Sequence, residues 1–260
     1  MPKPPKHPAP TVIAHDTYPF HGRYVARSRG IKRLLFWLLP RHVGFPLWLE
    51  LQTTLLRLRT LGTPRRYRHA RDLWVNLGAG NKGHAGWINV DIAPLPGINC
   101  VYDCRRHLPF PPQSAAAIFC EHFFEHLDYT EEVPVFLSEC RRVLQPDGVL
   151  RLIVPDTERY LHAYTQGRWE PLRRLRSMGQ DNYDPYLNTP YHTRMELINT
   201  VFRQGHEHKF AYDYETLAYV LQQAGFRRVC RQQFGVSQRA GLAIDLPQRA
   251  PESLYVEAIP

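Results

Sequence analysis

The chain has few cysteines and no long apolar run, and both absences narrow the class of protein it can be. Its 260 residues include five cysteines, an odd number without a closely spaced pair pattern. A disulfide framework of the kind found in small secreted domains is therefore not expected. The longest apolar stretch, from Leu34 to Leu39, is far too short to span a bilayer. We expect a reduced, cytoplasmic setting.

The N-terminus also lacks the features of a secretion signal. Residues 1–10 contain five prolines but no apolar core and no cleavage site. We expect this Pro-rich tail to be disordered. The apolar content of 43% is sufficient for a packed core, and the length suits one large α/β domain with appendages. We assign that domain to residues 71–260.

Positive charge is concentrated before this domain. The first 72 residues hold 14 of the 33 Lys and Arg residues but only 3 of the 24 Asp and Glu residues. Residues 11–70 are therefore interpreted as a basic arm. Leucines at 47, 51, 55 and 58 share one face of a predicted helix. Pro40 and Pro46 are expected to break the arm into short helices.

Three interpretations of the arm remain open. It can be a helical cap on the domain, with its arginines in solvent. It can contact a membrane surface peripherally through residues 31–60, where Trp37 and Trp48 lie among basic side chains. It can also bind nucleic acid through Arg65, Arg66 and Arg68, although basic charge alone supports only non-specific phosphate contact. Nucleic acid is the least favoured partner, because no known binding signature is present.

A glycine-rich turn between two predicted strands is the most informative motif. The strand Leu73–Leu77 leads directly into Gly78–Gly80, and a second strand, Trp87–Val90, ends at Asp91. Glycine has no Cβ, so backbone at the end of a strand can approach a ligand closely. A carboxylate at the tip of the neighbouring strand can accept hydrogen bonds from a ribose diol. The motif predicts a nucleoside-cofactor pocket at the carboxyl edge of a parallel sheet.

The spacing of this motif argues against a dinucleotide. Gly78, Gly80 and Gly83 match G-x-G-x-x-G, but that fingerprint needs an acid about 20 residues further on. Asp91 follows Gly80 by only 11 positions, and the short gap before the next strand leaves no helix to bind a pyrophosphate. A cofactor with an adenosine and no pyrophosphate fits better, and S-adenosylmethionine is the candidate. Asp103, at the end of a third predicted strand, would meet its adenine side.

Four further elements follow the pocket motif. We predict a buried strand from Ala116 to Cys120, a helix from Val133 to Leu144, a turn at Gln145–Gly148 and a strand from Val149 to Val154. Alternating strands and helices of this kind are typical of α/β proteins.

At this point the chain resembles a known family. The segments that carry the resemblance are NLGAG, GWINVDI, LPF, EHFFEHL and FLSECRRVLQPDGVLRLIVPD. They resemble class I S-adenosylmethionine-dependent methyltransferases, and most of all the type 11 branch often associated with polysaccharide biosynthesis. The resemblance covers residues 73–160 and resumes at 206–226 and 253–258. It implies a Rossmann-like, seven-stranded, mostly parallel sheet with helices on both faces, an N-terminal helical arm and a lid-like insertion at about 157–210.

The resemblance also implies roles for individual residues. Gly78, Ala79 and Gly80 would contact the methionine part of the cofactor, and Glu121 and His122 would line its inner wall. Asn76 stands where the wider superfamily often has an acid, which leaves open how the cofactor's amino group is held. The cofactor-binding set that we predict is Asn76, Gly78, Ala79, Gly80, Asp91, Ile92, Asp103, Glu121 and His122.

The predicted reaction is methyl transfer to an oxygen, or a carboxylate, of a sugar, glycolipid or small metabolite. A hydroxyl acceptor needs a base, whereas a carboxylate needs none. His126 and His208 are the candidate bases, and each could instead be a structural histidine. The insertion is rich in Tyr, Arg and His, and either lines the acceptor site or only packs over the cofactor. The candidate acceptor-binding residues are Tyr164, Tyr191, His192 and Arg194.

Other functions stay open at this stage. An RNA methyltransferase would use the basic arm. A zinc metallohydrolase would use His122, Glu125 and His126, which match H-x-x-E-H and would place both histidines on one helix face. The methyltransferase interpretation explains the whole series of elements around that short motif, so no metal is predicted. A dehydrogenase, or a relative without catalytic activity, is less favoured still.

Overall fold

The computed structural model describes residues 30–184, 189–204 and 207–260. The predicted tail at 1–10 and the arm up to residue 29 lie outside the described residues. The chain divides into two compact units, one ending at Gln52 and one from Thr53 to Pro260. The second unit holds the sheet and takes in the last part of the segment predicted as an arm.

Within the described residues, three helices precede the sheet: α1 (Gly30–Leu38), α2 (Arg41–Arg59) and α3 (Thr63–Tyr67). The prediction that Pro46 breaks the arm was wrong, because Pro46 lies inside α2. A proline in a helix removes one backbone hydrogen bond, and the remaining bonds continue the helix on both sides. Pro40 does separate α1 from α2. In the described part of the chain, no helix combines the length and apolar character that crossing a membrane requires.

The predicted seven-stranded, mostly parallel sheet is confirmed. Its order is β3-β2-β1-β4-β5-β9-β8, in which β9 runs antiparallel to both of its neighbours. The strands are β1 (Leu73–Leu77), β2 (Ile88–Asp91), β3 (Cys100–Val101), β4 (Ala115–Glu121), β5 (Leu144–Pro155), β8 (Arg228–Gln232) and β9 (Ser253–Ile259). A separate hairpin pairs β6 (Tyr183–Asp184) with β7 (Thr189–Pro190).

In the part of the chain that the structure describes, five further helices follow β4. They are α4 (Glu132–Val143), α5 (Thr157–Thr165), α6 (Glu170–Arg176), α7 (Arg194–Arg203) and α8 (Tyr214–Gln223), with 3₁₀ turns at Phe124–His126 and Pro247–Arg249. Side chains at helix starts satisfy free backbone N–H groups. Asp156 begins α5 and Asp213 begins α8 in this way, and Thr193 forms a capping box with Glu196 at α7.

The central strand β4 sends alternate side chains into two cores. Ile118 and Cys120 join the larger core, which α4 and α8 cover with residues such as Phe136 and Leu217. Ala117 and Phe119 join the smaller core on the opposite face. Because β4 is buried on both faces, its sequence is a continuous run of apolar residues, as is usual for central parallel strands.

The predicted turn at Gln145–Gly148 lies within the limits of β5. Ala115 pairs with Leu144 and Ala117 pairs with Val149, so the residues between interrupt the register. A Cβ at Gly148 would come within 2.9 Å of the Leu144 side chain and 3.0 Å of the Ala115 carbonyl oxygen. Glycine is required there because of this close approach.

The insertion has its own core, centred on Tyr160, Leu172 and Leu197. A buried ion-pair network accompanies it: Arg176 contacts Asp184 at 2.9 Å and Glu252 at 3.0 Å. Since Glu252 immediately precedes β9, this network joins the insertion to the end of the sheet. The insertion is therefore a packed element of the second unit.

Candidate active site

A cleft lies at the carboxyl ends of β1 and β4. Ligands of open α/β sheets bind at this edge. The cleft has a volume of about 160 Å³ and contains six of the predicted cofactor-binding residues. The residues that line it are Asn76, Gly78, Ala79, Gly80, Asn81, Lys82, His84, Phe119, Glu121, His122, Leu246 and Arg249. Asp91, Ile92 and Asp103 lie outside this lining.

The two glycines of the turn serve different purposes. Both have left-handed backbone, with φ of +67° at Gly78 and +55° at Gly80. The ring of Phe123 occupies the space that a Cβ at Gly78 would need. No atom in the described structure lies within 4 Å of a Cβ built at Gly80. The turn therefore packs on Phe123 at one glycine and leaves open space for a ligand at the other.

Asp91 is held against this turn at the tip of β2. Its Oδ2 accepts a hydrogen bond from the Gly80 N–H at 2.9 Å, and its Oδ1 accepts one from the Ala93 N–H at 2.9 Å. Each carboxylate oxygen can accept a further bond. The carboxylate is therefore oriented without being saturated, which fits the ribose role predicted for it. Ile92, beside it, is exposed.

Asn76 supports the loop that follows the glycines. Its side-chain amide donates to the Lys82 carbonyl at 3.1 Å and to the Asn89 side-chain oxygen at 3.2 Å. The same Asn89 oxygen accepts the His84 N–H at 2.9 Å. The amide at position 76 thus shapes the loop at one wall of the cleft.

Asp103 is engaged by two arginines. Arg105 contacts its Oδ1 at 2.9 Å, and Arg57, near the end of α2, contacts its Oδ2 at 2.6 Å. Burial alone would raise the pKa of Asp103, but hydrogen bonds and charge from Arg105 and Arg57 hold this pKa below its usual range. An adenine group would have to share this carboxylate with both guanidinium groups, and the adenine role of Asp103 stays a prediction.

Charged side chains of both signs face the cleft. Burial raises the pKa of Glu121. The Leu246 N–H donates a hydrogen bond to Glu121 Oε1 at 3.1 Å, and this bond opposes the shift. Lys82 and Arg249 add positive charge, and Arg249 also contacts Glu252 at 2.8 Å. Sequence reasoning missed both basic residues. Lys82 stands within the loop after the glycines and could have been found, whereas nothing in the sequence around Arg249 places it near that loop.

His122 joins the cleft to a group of ionisable residues behind it. Its backbone φ is +52°, and its N–H donates to the Ile153 carbonyl at 2.8 Å. On its ring, Nε2 lies 2.8 Å from Ser253 Oγ and Nδ1 lies 3.3 Å from Glu125 Oε1. His122 thus lines the cleft, and its ring also contacts a buried carboxylate.

Glu125, His126 and His208 form the rest of this group. Glu125 is 1% exposed, and its Oε1 lies 3.8 Å from His208 Nε2. The Lys209 N–H donates to the Glu125 carbonyl at 2.8 Å, which positions His208 beside the turn after β4. The rings of His126 and His208 meet edge to face at 4.7 Å.

Burial determines how this group titrates. It lowers the pKa of His208 to about 4, against the opposing charge of Glu125. Burial alone would raise the pKa of Glu125, but the three histidines around it hold this pKa below its usual range. At neutral pH a carboxylate therefore faces a neutral His208. Neither predicted base, His126 or His208, lines the cleft, so their catalytic role stays a prediction.

The four predicted acceptor-binding residues also lie outside the cleft lining. Tyr164 and Arg194 form a pair, in which the guanidinium lies 5.0 Å from the ring centre and donates to the Tyr164 carbonyl at 2.9 Å. Tyr191 is buried, and its hydroxyl donates to Asp184 at 2.7 Å. His192 is exposed. The structure thus brings two of the four together, and their acceptor role stays a prediction.

The helix needed for the H-x-x-E-H interpretation is not formed. His122 has left-handed backbone, and only Phe124–His126 form a 3₁₀ turn. His122 and His126 therefore do not share a helix face, because the chain bends between them. The geometry expected of the inverted zinc-protease motif is absent from this described segment.

Comparison with known proteins agrees with the site. Residues 90–152 match a family model described as a methyltransferase domain, of type 11. No curated protein sequence matches the chain. The matched segment begins at the tip of β2 and ends inside β5, and so spans the centre of the sheet.

Several solved methyltransferase structures are similar to the chain. A protein from Archaeoglobus fulgidus, described as SAM-dependent, is 16% identical, with a TM-score of 0.42 over 80% of this chain and 94% of its own. A possible histamine N-methyltransferase from Thermotoga maritima is 15% identical, with a TM-score of 0.42 over 83% and 95%. One from Mesorhizobium loti is 16% identical, with a TM-score of 0.42 over 74% and 92%.

The sheet order and the cleft at its carboxyl edge define an α/β protein built to bind a nucleoside cofactor. The methyltransferase-domain match across the centre of that sheet supports S-adenosylmethionine-dependent methyl transfer, with S-adenosylmethionine as the cofactor. The open space at Gly80 and the oriented carboxylate of Asp91 fit this cofactor.

Proposed function

We propose that this methyltransferase methylates a hydroxyl oxygen of a sugar, glycolipid or small-metabolite acceptor. The observation that carries the proposal is the group of histidines and a carboxylate that continues from His122 in the cleft wall. A hydroxyl must lose a proton during methyl transfer, and this group provides nitrogen and oxygen acceptors for it. A carboxylate acceptor would need no such group.

The cofactor supplies an activated methyl group on its sulfonium sulfur. In the transfer, a lone pair of the acceptor oxygen forms the new O–C bond while the C–S bond breaks and its electron pair stays on sulfur. The acceptor proton passes to the histidine group and then to solvent. The protein's main task is alignment, which can account for several powers of ten in rate.

The cofactor-binding roles form part of the same proposal. The glycine turn and Ala79 would hold the methionine part, Asp91 and Ile92 the ribose, and Glu121 with His122 the inner wall. Lys82 and Arg249 would meet the cofactor's carboxylate, since both face the cleft and carry positive charge. Asp103 would approach the adenine while paired with Arg57 and Arg105.

The acceptor would lie between the cleft and the insertion. Tyr164 and Arg194 supply an aromatic face and a cation suited to a sugar-like molecule. Tyr191 would act by fixing this surface, because its hydroxyl is buried against Asp184. His192 is free to reach an acceptor from its exposed position. His126, half-buried, is a more accessible base than His208.

The RNA and zinc metallohydrolase alternatives are not favoured. The arginine cluster on which the RNA alternative depends belongs to the short helix α3 and its end. Replacing Arg65, Arg66 and Arg68 by alanine should leave methylation of a small hydroxyl acceptor nearly unchanged. An RNA substrate would instead bind more weakly and with a smaller salt dependence.

The experiment has two stages. Calorimetry first measures binding of S-adenosylmethionine and S-adenosylhomocysteine, with NAD as the control ligand. The enzyme is then incubated with S-[¹³C-methyl]adenosylmethionine and a panel of sugars, glycolipid headgroups and small hydroxylated metabolites. A new O-methyl resonance in the ¹³C spectrum supports the proposal, and methyl signals found only on nitrogen or carbon would contradict it.

A further inference from the structure

The ionisable group behind the cleft consists of hydrogen-bond acceptors that face one another. Within the part of the chain that the structure describes, both carboxylate oxygens of Glu125 and Nε2 of His208 have no well-formed hydrogen bond, although His122 Nδ1 lies 3.3 Å from Glu125 Oε1. Their side chains are 2% and 5% exposed. Burying polar atoms without hydrogen-bond partners is unfavourable, and more so when they are charged, so three such atoms in one place indicate a ligand.

The histidine tautomers show which kind of ligand is missing. His208 Nδ1 lies 2.6 Å from the Val201 carbonyl oxygen, and His126 Nδ1 lies 3.0 Å from the Glu207 carbonyl oxygen. A carbonyl oxygen only accepts, so each Nδ1 carries the proton and donates it. Nε2 of both rings is then left with a lone pair. In the neutral form of the two rings, these lone pairs beside the Glu125 carboxylate suit an electron-poor ligand.

The geometry suits a metal ion. One ligating atom from each of Glu125, His126 and His208 lies within 4.8 Å of the other two. Glu125 Oε1 and His208 Nε2 are 3.8 Å apart. Around tetrahedral zinc, with bonds of roughly 2.0–2.1 Å, neighbouring ligand atoms are roughly 3.4 Å apart. Small side-chain movements would close the remaining gap.

We propose that Glu125, His126 and His208 bind a divalent transition-metal ion, with Zn²⁺ as the leading candidate. Two imidazoles and one carboxylate are a known zinc ligand set that leaves a fourth position open. Each ring already donates its other N–H to a backbone carbonyl, which is the arrangement usual for metal-binding histidines. The ligand set differs from the H-x-x-E-H motif, because His208 replaces His122 and Glu125 is itself a ligand.

The ion would link two parts of the domain that are distant in sequence. Glu125 and His126 belong to the turn after β4, whereas His208 follows α7. Metal binding would therefore stabilise the folded domain, by an amount that rises with the logarithm of the free ion concentration divided by its dissociation constant. A consequence for catalysis rests on the proposed function: with the ion bound, Glu125, His126 and His208 hold the metal, and His122, whose ring contacts Glu125, is the histidine of this group left to accept the proton.

Metal binding is tested directly, on full-length protein stripped with EDTA and dialysed. Zinc is titrated by calorimetry, and Co²⁺ is added to a second sample to record its visible absorption. We expect one ion per chain, an intense four-coordinate cobalt spectrum and a rise in melting temperature with zinc. Glu125→Gln, His126→Asn and His208→Gln should each weaken binding by more than about tenfold.

Two control variants test whether other zinc ligands account for the signal. His162→Gln removes an exposed histidine on α5, and Cys230→Ser removes the least buried cysteine. Both should bind zinc as the unaltered protein does. Equal zinc affinity in Glu125→Gln and His208→Gln, with their circular dichroism unchanged, would overturn the proposal.

X-ray absorption on the zinc-loaded, unaltered protein avoids dependence on variants that fail to fold. A shell of nitrogen and oxygen with imidazole scattering is expected, and a sulfur shell would overturn the assignment. S-adenosylhomocysteine binding is measured in the same samples. Cofactor binding without zinc binding would remove only the metal site, whereas zinc binding without cofactor binding would instead count against the proposed function.

Discussion

At the scale of single residues, position along a strand was a good guide to proximity. Asp91 and Gly80 are joined by a 2.9 Å hydrogen bond because β1 and β2 are parallel neighbours whose carboxyl ends meet. A carboxylate fixed in this way loses little freedom when a ribose binds to it. We therefore expect Asp91 to contribute strongly to cofactor affinity.

Asp91→Asn should weaken S-adenosylhomocysteine binding by roughly 1–3 kcal/mol, or about 5- to 150-fold. The amide keeps the size of the side chain but replaces one acceptor oxygen with a donor. Calorimetry measures the change. Asp147→Asn is the matched control, since Asp147 is exposed in the interruption of β5. An unchanged dissociation constant for Asp91→Asn would show that the ribose binds elsewhere.

The ion pairs of Asp103 with Arg57 and Arg105 make the free energy of unfolding depend on pH. Because Arg105 and Arg57 hold the pKa of Asp103 below its usual range, the folded state binds this proton more weakly than the unfolded state. The resulting stabilisation is present above about pH 4 and is lost as the pH falls through the pKa that Asp103 has in the folded state.

Arg57→Ala tests this dependence. The free energy of unfolding of the variant should fall by about 1–3 kcal/mol at neutral pH. The loss is not larger because Arg105 still pairs with the buried carboxylate. The difference from the unaltered protein should shrink between about pH 5 and about pH 2. Urea unfolding at several pH values measures both effects. Arg59→Ala, on an exposed part of the same helix, should show neither, and a difference that is constant with pH would contradict the explanation.

At the scale of elements, the N-terminal helices differ most from expectation. The apolar face of α2 was predicted from its leucine spacing, and Leu47, Leu51, Leu55 and Leu58 are all 48–62% exposed. The arginine at position 57, by contrast, is half-buried against Asp103. Periodicity identified the face correctly but did not indicate which side of the helix packs.

Peripheral contact of this leucine face with a membrane surface stays a prediction from the sequence, and vesicle sedimentation tests it. We expect the protein to sediment with vesicles containing anionic lipid, and the double variant Leu51→Glu, Leu55→Glu to lose this association. The control variant Gln52→Glu, Thr54→Glu adds the same charge at exposed polar positions of α2 and should retain much more of the vesicle association. Equal sedimentation of both variants would show that the leucines are not the contact.

At the scale of the whole molecule, strands and turns near the cofactor motif were predictable because their signals are local. β1 has the predicted limits, and the predicted strands at Trp87–Val90 and Ala116–Cys120 differ from β2 and β4 by a residue at each end. The prediction at Pro46 failed because the cost of one missing hydrogen bond depends on how well the rest of the helix is supported. Insertion residues were grouped by composition, which does not specify where each side chain packs.

The amino-acid sequence by itself determined the order of strands and helices between Leu73 and Val154, the glycine turn with its carboxylate partner, and the class of cofactor. Each of these depends on residues that are close in sequence or at the ends of adjacent parallel strands. Only the tertiary structure decided that Arg57 engages Asp103, that Arg249 faces the cleft and that His208 meets Glu125. Those contacts join residues far apart along the chain, and their distances follow from how the helices and the insertion pack on the sheet.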